Sequence, residues 1–284
     1  MQKLAIIGLL ISISLLIFPV SQGGILQKNP AQTWYVDSKN TEGPWTGSLL
    51  YPFSHIQTAI NQANSGDIII VFNGIYQETL LIDKAITLQS QFSHNPIIDG
   101  QYNQTIIQIS HPNVTVTGLN ITNSSGSQKS CGIRCEAADI TISQCYFYRT
   151  KSGIYVEEEK NITITNNFFH TNGEGIAIID SYYIDLQLND FMHNGLGINS
   201  DHSTNILIEM CYATVNGIGI FLNDSEDITI SETACFNNND NQGGIFLNDC
   251  KNISIKNCRI EHNGFGIKPF DCKHIHINRS TIQH

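Results

Sequence analysis

From residue 139 onward, branched apolar residues alternate with small polar ones in a phrase that recurs along the chain. It reads DITIS from Asp139, NITIT from Asn161, YIDLQ from Tyr183, NILIE from Asn205, DITIS from Asp227, NISIK from Asn252 and HIHIN from His274. Alternation with a period of two marks a strand that buries one face. The first isoleucine of each phrase falls at 140, 162, 184, 206 and 228, then at 253 and 275, so the spacing is 22 residues with one interval of 25. The three extra residues fall in the polar run 237–241 and predict a loop insertion. Looser copies, VTVTG from Val114 and AITLQ from Ala85, predict irregular early turns of the same structure. A fixed period of this size indicates a solenoid.

The second half of the repeat decides which solenoid. A leucine-rich repeat would also accommodate Ile162, Ile164, Asn167 and Phe169, but it needs a leucine three residues upstream and helix formers downstream. The upstream column here reads Glu159, Ser181, Ser203, Ser225, Cys250 and Cys272, and the downstream half is Gly-Ile followed by renewed alternation at 153, 175, 197, 219, 244 and 266. Each unit is therefore strands joined by turns. Asn-Gly pairs at 172, 194, 216 and 263 are expected to supply left-handed corner conformations.

Parallel strands of successive coils lie about 4.8 Å apart, so equivalent residues stack in columns. The column Ile140, Ile162, Ile184, Ile206, Ile228, Ile253, Ile275 and the column Phe147, Phe169, Phe191, Ala213, Cys235, Ile260, Ile282 are assigned to the interior. A third, Cys145, Asn167, Asn189, Cys211, Thr233, Cys258, Ser280, suits a ladder of hydrogen bonds along the axis.

Ahead of the coils, the spacing of Ile56, Ala59, Ile60 and Ala63 predicts an amphipathic helix over 53–66, with Ser54 and Gln57 as a capping box and Gly66 as a stop. Laid across the open end of a solenoid, it would serve as a plug. The division that follows is an export signal over 1–23, a lead-in segment over 24–52, the capping helix, and coils over 67–284 that end in mid-coil with no second plug. The signal rests on Lys3 followed by an apolar run from Leu4 to Val20 and the small and polar residues Ser21 to Gly24. It would contact the membrane during export and place the rest of the chain outside the cytoplasm, secreted or at the cell surface.

Composition adds an exclusion. Among 284 residues, 25 acids outweigh 15 scattered lysines and arginines, and the net charge of −10 carries no basic footprint for nucleic acid. Eight cysteines lack C-x-x-C spacing; Cys250 and Cys272 share a column and could bridge. Asn-x-Ser/Thr sequons are frequent, as expected of any repeat rich in these residues.

The segment PFSHIQTAINQANSGDIIIVFNGIYQETLLIDKAITL, with its cap helix, Gly-Asp, strand and Gly-x-Tyr, resembles the start of exported right-handed parallel β-helix proteins with PbH1 repeats. These are related to pectate lyases and to the NosD-type periplasmic copper-processing proteins. The resemblance covers roughly residues 34 to 284 and implies an all-β, single-stranded right-handed parallel β-helix with an N-terminal capping helix. It implies no one activity, because lyases, hydrolases, esterases, epimerases and inactive proteins share that start.

Candidate chemistry is sparse, and no residue is assigned a catalytic role. The column Glu158, Asp180, His202, Asp224, Asp249, Asp271 could hold calcium between neighbouring coils, but Asp before Ser or Cys at a recurring corner more simply caps backbone groups. Inverting hydrolysis would need carboxyls farther apart across a cleft. A copper site at His170, Met192 and His193 is disfavoured, no metal ligand is assigned, and no cofactor is required. The more telling feature is an outward strip of Tyr146, Tyr148, Phe168, His170, Tyr212 and Phe236, alternating with the buried Phe column. Regularly spaced rings suit stacking on sugars or burial against a protein. The expectation is a scaffold that binds extracellular polysaccharide or a cell-surface partner, with a lyase or hydrolase of acidic polysaccharide and a NosD-like copper protein as rivals.

Overall fold

The computed structural model describes residues 30–91, 96–103, 105–125, 130–239 and 243–283. The proposed export signal and His284 lie outside them, as does part of the 237–241 insertion. The chain from Ala31 onward forms one unit, a right-handed parallel β-helix of about nine turns. Three parallel sheets of eleven, ten and nine strands run its length. Each complete coil contributes one strand to each sheet. In the coil beginning at Lys160, these are Lys160–Thr165, Phe168–His170 and Glu174–Ile179.

The expected columns form. Ile140, Ile162, Ile184, Ile206, Ile228, Ile253 and Ile275 pair in unbroken register in the eleven-strand sheet. Phe147, Phe169 and Phe191 stack inside the ten-strand sheet with centroids 4.8 and 4.9 Å apart and planes within 8°. The stack continues through Ala213, Cys235 and Ile260, all fully buried. Ile282 is 45% exposed because it lies on the last described rung.

The corners differ from expectation in an informative way. Left-handed φ values fall on Arg149, Thr171, His193 and Val215, one residue before each Asn of the Asn-Gly pairs or its equivalent Thr150. The asparagines themselves point inward as a second polar ladder. The Oδ1 of Asn172 accepts from the amide of Thr150, Asn194 accepts from Asn172, Asn216 from Asn194, and Asn238 from Asn216, each at 2.9 to 3.0 Å. Each Nδ2 also reaches back to a carbonyl of the strand before, as Asn194 does to Phe169 at 3.0 Å. The following glycines are required by proximity: a Cβ on Gly195 would stand 2.5 Å from the carbonyl oxygen of Gly173.

The same device closes the other corners. Asn166 and Leu188 are left-handed ahead of Asn167 and Asn189, whose ladder matches the assigned third column. Asp180, His202 and Asp224 are left-handed ahead of Ser181, Ser203 and Ser225, whose hydroxyls accept from the amides of the preceding coil.

The helix is shorter than predicted, Ile56–Gln62, and buries Ile56, Ala59 and Ile60 over the first coil. Its N-terminus is not closed by a capping box. Ser54 Oγ bonds to His55 Nδ1 at 2.8 Å, and Gln57 exchanges hydrogen bonds with the backbone of Leu81. A carboxylate from a loop closes it instead: the amides of Ile56 and Gln57 donate to the two oxygens of Glu78 at 2.9 and 3.0 Å. Lys84 Nζ donates to the carbonyls of Ile60, Asn61 and Ala63 at the other end. An anion at the N-terminus and a cation at the C-terminus complement the peptide dipoles.

Candidate functional site

The outer face of the ten-strand sheet carries the aromatic strip because its three-residue strands alternate strictly: the central Phe147 and Phe169 face inward and their flanking residues outward. Parallel register then sets two outer columns. One reads Ile75, Ile97, Asn120, Tyr146, Phe168, Asp190, Tyr212. The other passes from Tyr148 to His170, Met192, Thr214, Phe236 and Glu261.

Four of the six strip residues come together. Tyr146 stacks on Phe168 at 5.2 Å and Tyr148 on His170 at 5.7 Å, each pair 12° from parallel. Tyr146 OH lies 3.4 Å from His170 Nδ1, and the Arg149 guanidinium sits 4.8 Å over the Tyr148 ring. Tyr212 is set apart by the Asp190 rung and is 54% exposed. Phe236 lies three rungs beyond His170, past Met192 and Thr214, and is covered by Arg259 at 5.0 Å. The strip is therefore one continuous patch and two separate rings.

Burial shapes the electrostatics of this face. It raises the Tyr146 hydroxyl above its ordinary pKa, with Tyr148 adding to the effect. It lowers His170, helped by His193, whose ring meets that of His170 edge-on at 5.3 Å. The Asp190 carboxyl is raised by burial, and among the described residues no ion pair offsets it. A half-buried carboxylate between Phe168 and Tyr212 was not singled out in the sequence; its signal was an acid standing between two aromatic rungs of the outer column.

Elsewhere, Asp201, His202 and Asp224 bring donor atoms within 4.8 Å of one another. His202 Nδ1 lies 2.9 Å from Asp201 and Nε2 3.7 Å from Asp224, and Asn223 donates to both carboxylates. Within the acidic column, His202 and Asp224 are thus partnered by the neighbouring Asp201 and Asn223. All eight cysteines are free, Cys250 and Cys272 included. Burial holds the thiols of Cys131 and Cys145 at about 12, which keeps them protonated.

A cleft of about 960 Å³ opens at the N-terminal end, between the lead-in segment, the helix and Ile75–Glu78. Trp45, His55 and Thr58 are among its walls.

Residues 60–242 match the family NosD, described as periplasmic copper-binding protein, and the chain belongs to that family. Among solved structures it is similar to the A-module of the Azotobacter vinelandii mannuronan C-5 epimerase AlgE4, at 17% identity over 79% of this chain and 71% of that one, with a TM-score of 0.67. It is similar to pectate lyase Pel9A at 14% identity, covering 90% and 78%, TM-score 0.63. A xylose complex of XylC aligns at 9% identity, covering 88% and 70%, TM-score 0.68. At these identities the likeness is one of fold. No curated protein matches the chain by sequence.

The family description stands against the expectation that copper is disfavoured. Copper selects imidazole and, as Cu(I), thioether or thiolate. The buried thiols are withheld, and Asp201, His202 and Asp224 offer mainly hard oxygen. Among the described residues, His170, held toward its neutral form, His193 beside it, and Met192, the cross-strand partner of His170, form one set of donors whose chemistry would suit copper. Bound there, copper would supply a redox-active soft centre beside the aromatic patch.

Proposed function

We propose that this protein is an extracytoplasmic β-helix scaffold that binds polysaccharide along the outer face of its ten-strand sheet. The observation that carries the reading is the stacked patch of Tyr146, Tyr148, Phe168 and His170. Rings stacked on one another along a rigid sheet cover each other's faces and turn a continuous apolar edge outward, against which a sugar can pack with little lost in ordering them on binding. Asp190, kept half-buried at some expense in solvation, supplies an acceptor for sugar hydroxyls in the same column. The polysaccharide-acting neighbours support this reading at the level of fold alone.

The test is glycan-array binding of the folded chain against the Tyr146→Ala, Phe168→Ala, Tyr212→Ala triple variant. Loss of binding is expected; equal retention of the same glycans by both proteins removes the patch from consideration. Tyr212 alone is expected to contribute least, since it stands apart.

A second reading, copper handling, is favoured by the soft donors at His170, Met192 and His193. Titration with Cu(I) against a chromogenic chelator is expected to show one site that His193→Ala weakens. Unchanged affinity in that variant would remove these residues as ligands.

A further inference from the structure

The N-terminal cleft stands at the head of the face just described. Ile75, which lines it and is 61% exposed, belongs to the same outer column as Tyr146: it pairs with Ile97, which pairs with Asn120, which pairs with Tyr146. Three rungs separate cleft and patch, about 14 Å. The cleft is of ligand size, near the upper end of the range of about 300–1,000 Å³. Its aromatic wall is anchored, since the Trp45 indole N–H donates to the carbonyl of Asn40 at 2.7 Å, and Asn40 in turn donates to the carbonyl of Pro52 at 2.6 Å. The ring is nevertheless 52% exposed. Its other walls include the hydroxyls of Ser54 and Thr58, the imidazole of His55 bonded to Ser54, and the Glu78 carboxylate. Among the described residues, no lysine or arginine lines it.

A fixed, exposed indole sharing a cleft with hydroxyls suits the apolar face and hydroxyl edge of an uncharged pyranose. With Glu78 already engaged by the helix amides and no lysine or arginine among the described lining residues, the cleft offers a sugar acid no cationic partner. We propose that the cleft is a second carbohydrate site, holding the uncharged end residues of a chain whose body lies along the aromatic patch. This rests on the reading of that patch as a polysaccharide surface. It assigns the chain a direction, parallel to the solenoid axis, with its end at the capping helix.

The experiment uses an array of neutral and acidic oligosaccharides of increasing length, probed with the wild type, Trp45→Ala, Thr58→Trp and Phe168→Ala, each first shown to be folded by far-UV circular dichroism. Thr58→Trp fills the cleft from the helix side without removing Trp45. Both cleft variants are expected to weaken long neutral glycans about tenfold, the scale of losing one aromatic anchor. Phe168→Ala should weaken long glycans and spare the shortest ones. Binding that Phe168→Ala weakens and both cleft variants leave unchanged overturns the cleft and keeps the patch. Binding confined to acidic glycans overturns the assignment of an uncharged end. No binding of any glycan by the wild type removes patch and cleft together.

Discussion

Asn194 allows the energetic weight of the inward ladder to be worked out. Its Oδ1 accepts from the Asn172 amide at 2.9 Å, and its Nδ2 donates to the Phe169 carbonyl at 3.0 Å and to Asn216 Oδ1 at 3.1 Å. Asn194→Ala leaves the Asn172 amide and the Phe169 carbonyl without these partners at a site only 4% exposed. Asn216 Oδ1 keeps the Asn194 amide. Each orphaned buried group costs about 1–3 kcal/mol, so the variant is expected to lose about 2–5 kcal/mol. Asn194→Thr should recover part of this, because Thr150 and Thr233 already serve as rungs in the two ladders. Urea unfolding followed by far-UV circular dichroism gives the loss. Hydrogen exchange across 169–195 tests whether it is local, as expected of a solenoid whose coils contact only their neighbours. A loss under about 0.5 kcal/mol, with unchanged exchange, would refute the view that inward amides hold the corners.

Three further outcomes are expected. Val215→Asn should stabilise the protein by roughly 1 kcal/mol in the same melt, since a β-branched residue holds φ 55° there and its side chain is 42% exposed; destabilisation would mean that the valine packs in a way that outweighs its backbone. Glu78→Ala should cost about 1–2 kcal/mol and speed exchange of the Ile56 and Gln57 amides, with exchange elsewhere unchanged. Asp190 has a folded pKa above its unfolded one, so its charge opposes folding at neutral pH, and this opposition fades as pH falls through the raised value. Asp190→Asn should therefore be the more stable protein at neutral pH, with the gap closing toward the acid side of that value; a gap constant with pH would assign the effect to packing.

What could be read from the chain was what repeats. The isoleucine and phenylalanine columns and the ladder through Asn167 and Asn189 follow from period alone, because a column is defined by counting. Which residue takes the left-handed position was misplaced by one: Asn172 seemed suited to φ > 0, yet the tertiary demand for an inward amide captured it, and Thr171 bends instead. The capping box failed for a related reason, since Gln57 was drawn away to Leu81 while Glu78, 22 residues downstream, closed the helix. The six rings all fall in the outward columns, but the interruption of their strip by Asp190 and Met192 needed the register. The cleft was invisible because residues 38–58 and 75–78 belong to no repeat.

The left-handed corners give the molecule a property beyond stability. Each regular coil from residue 139 to 228 carries its own set of bends and inward side chains, so its shape is prescribed within 22 residues and the contacts it makes to its neighbours. Gain or loss of one such segment would lengthen or shorten the outer face by one step of about 4.8 Å and leave every other contact in place. The protein is in effect a gauge graduated in rungs, and evolution could fit it to a longer or shorter guest by counting instead of redesigning.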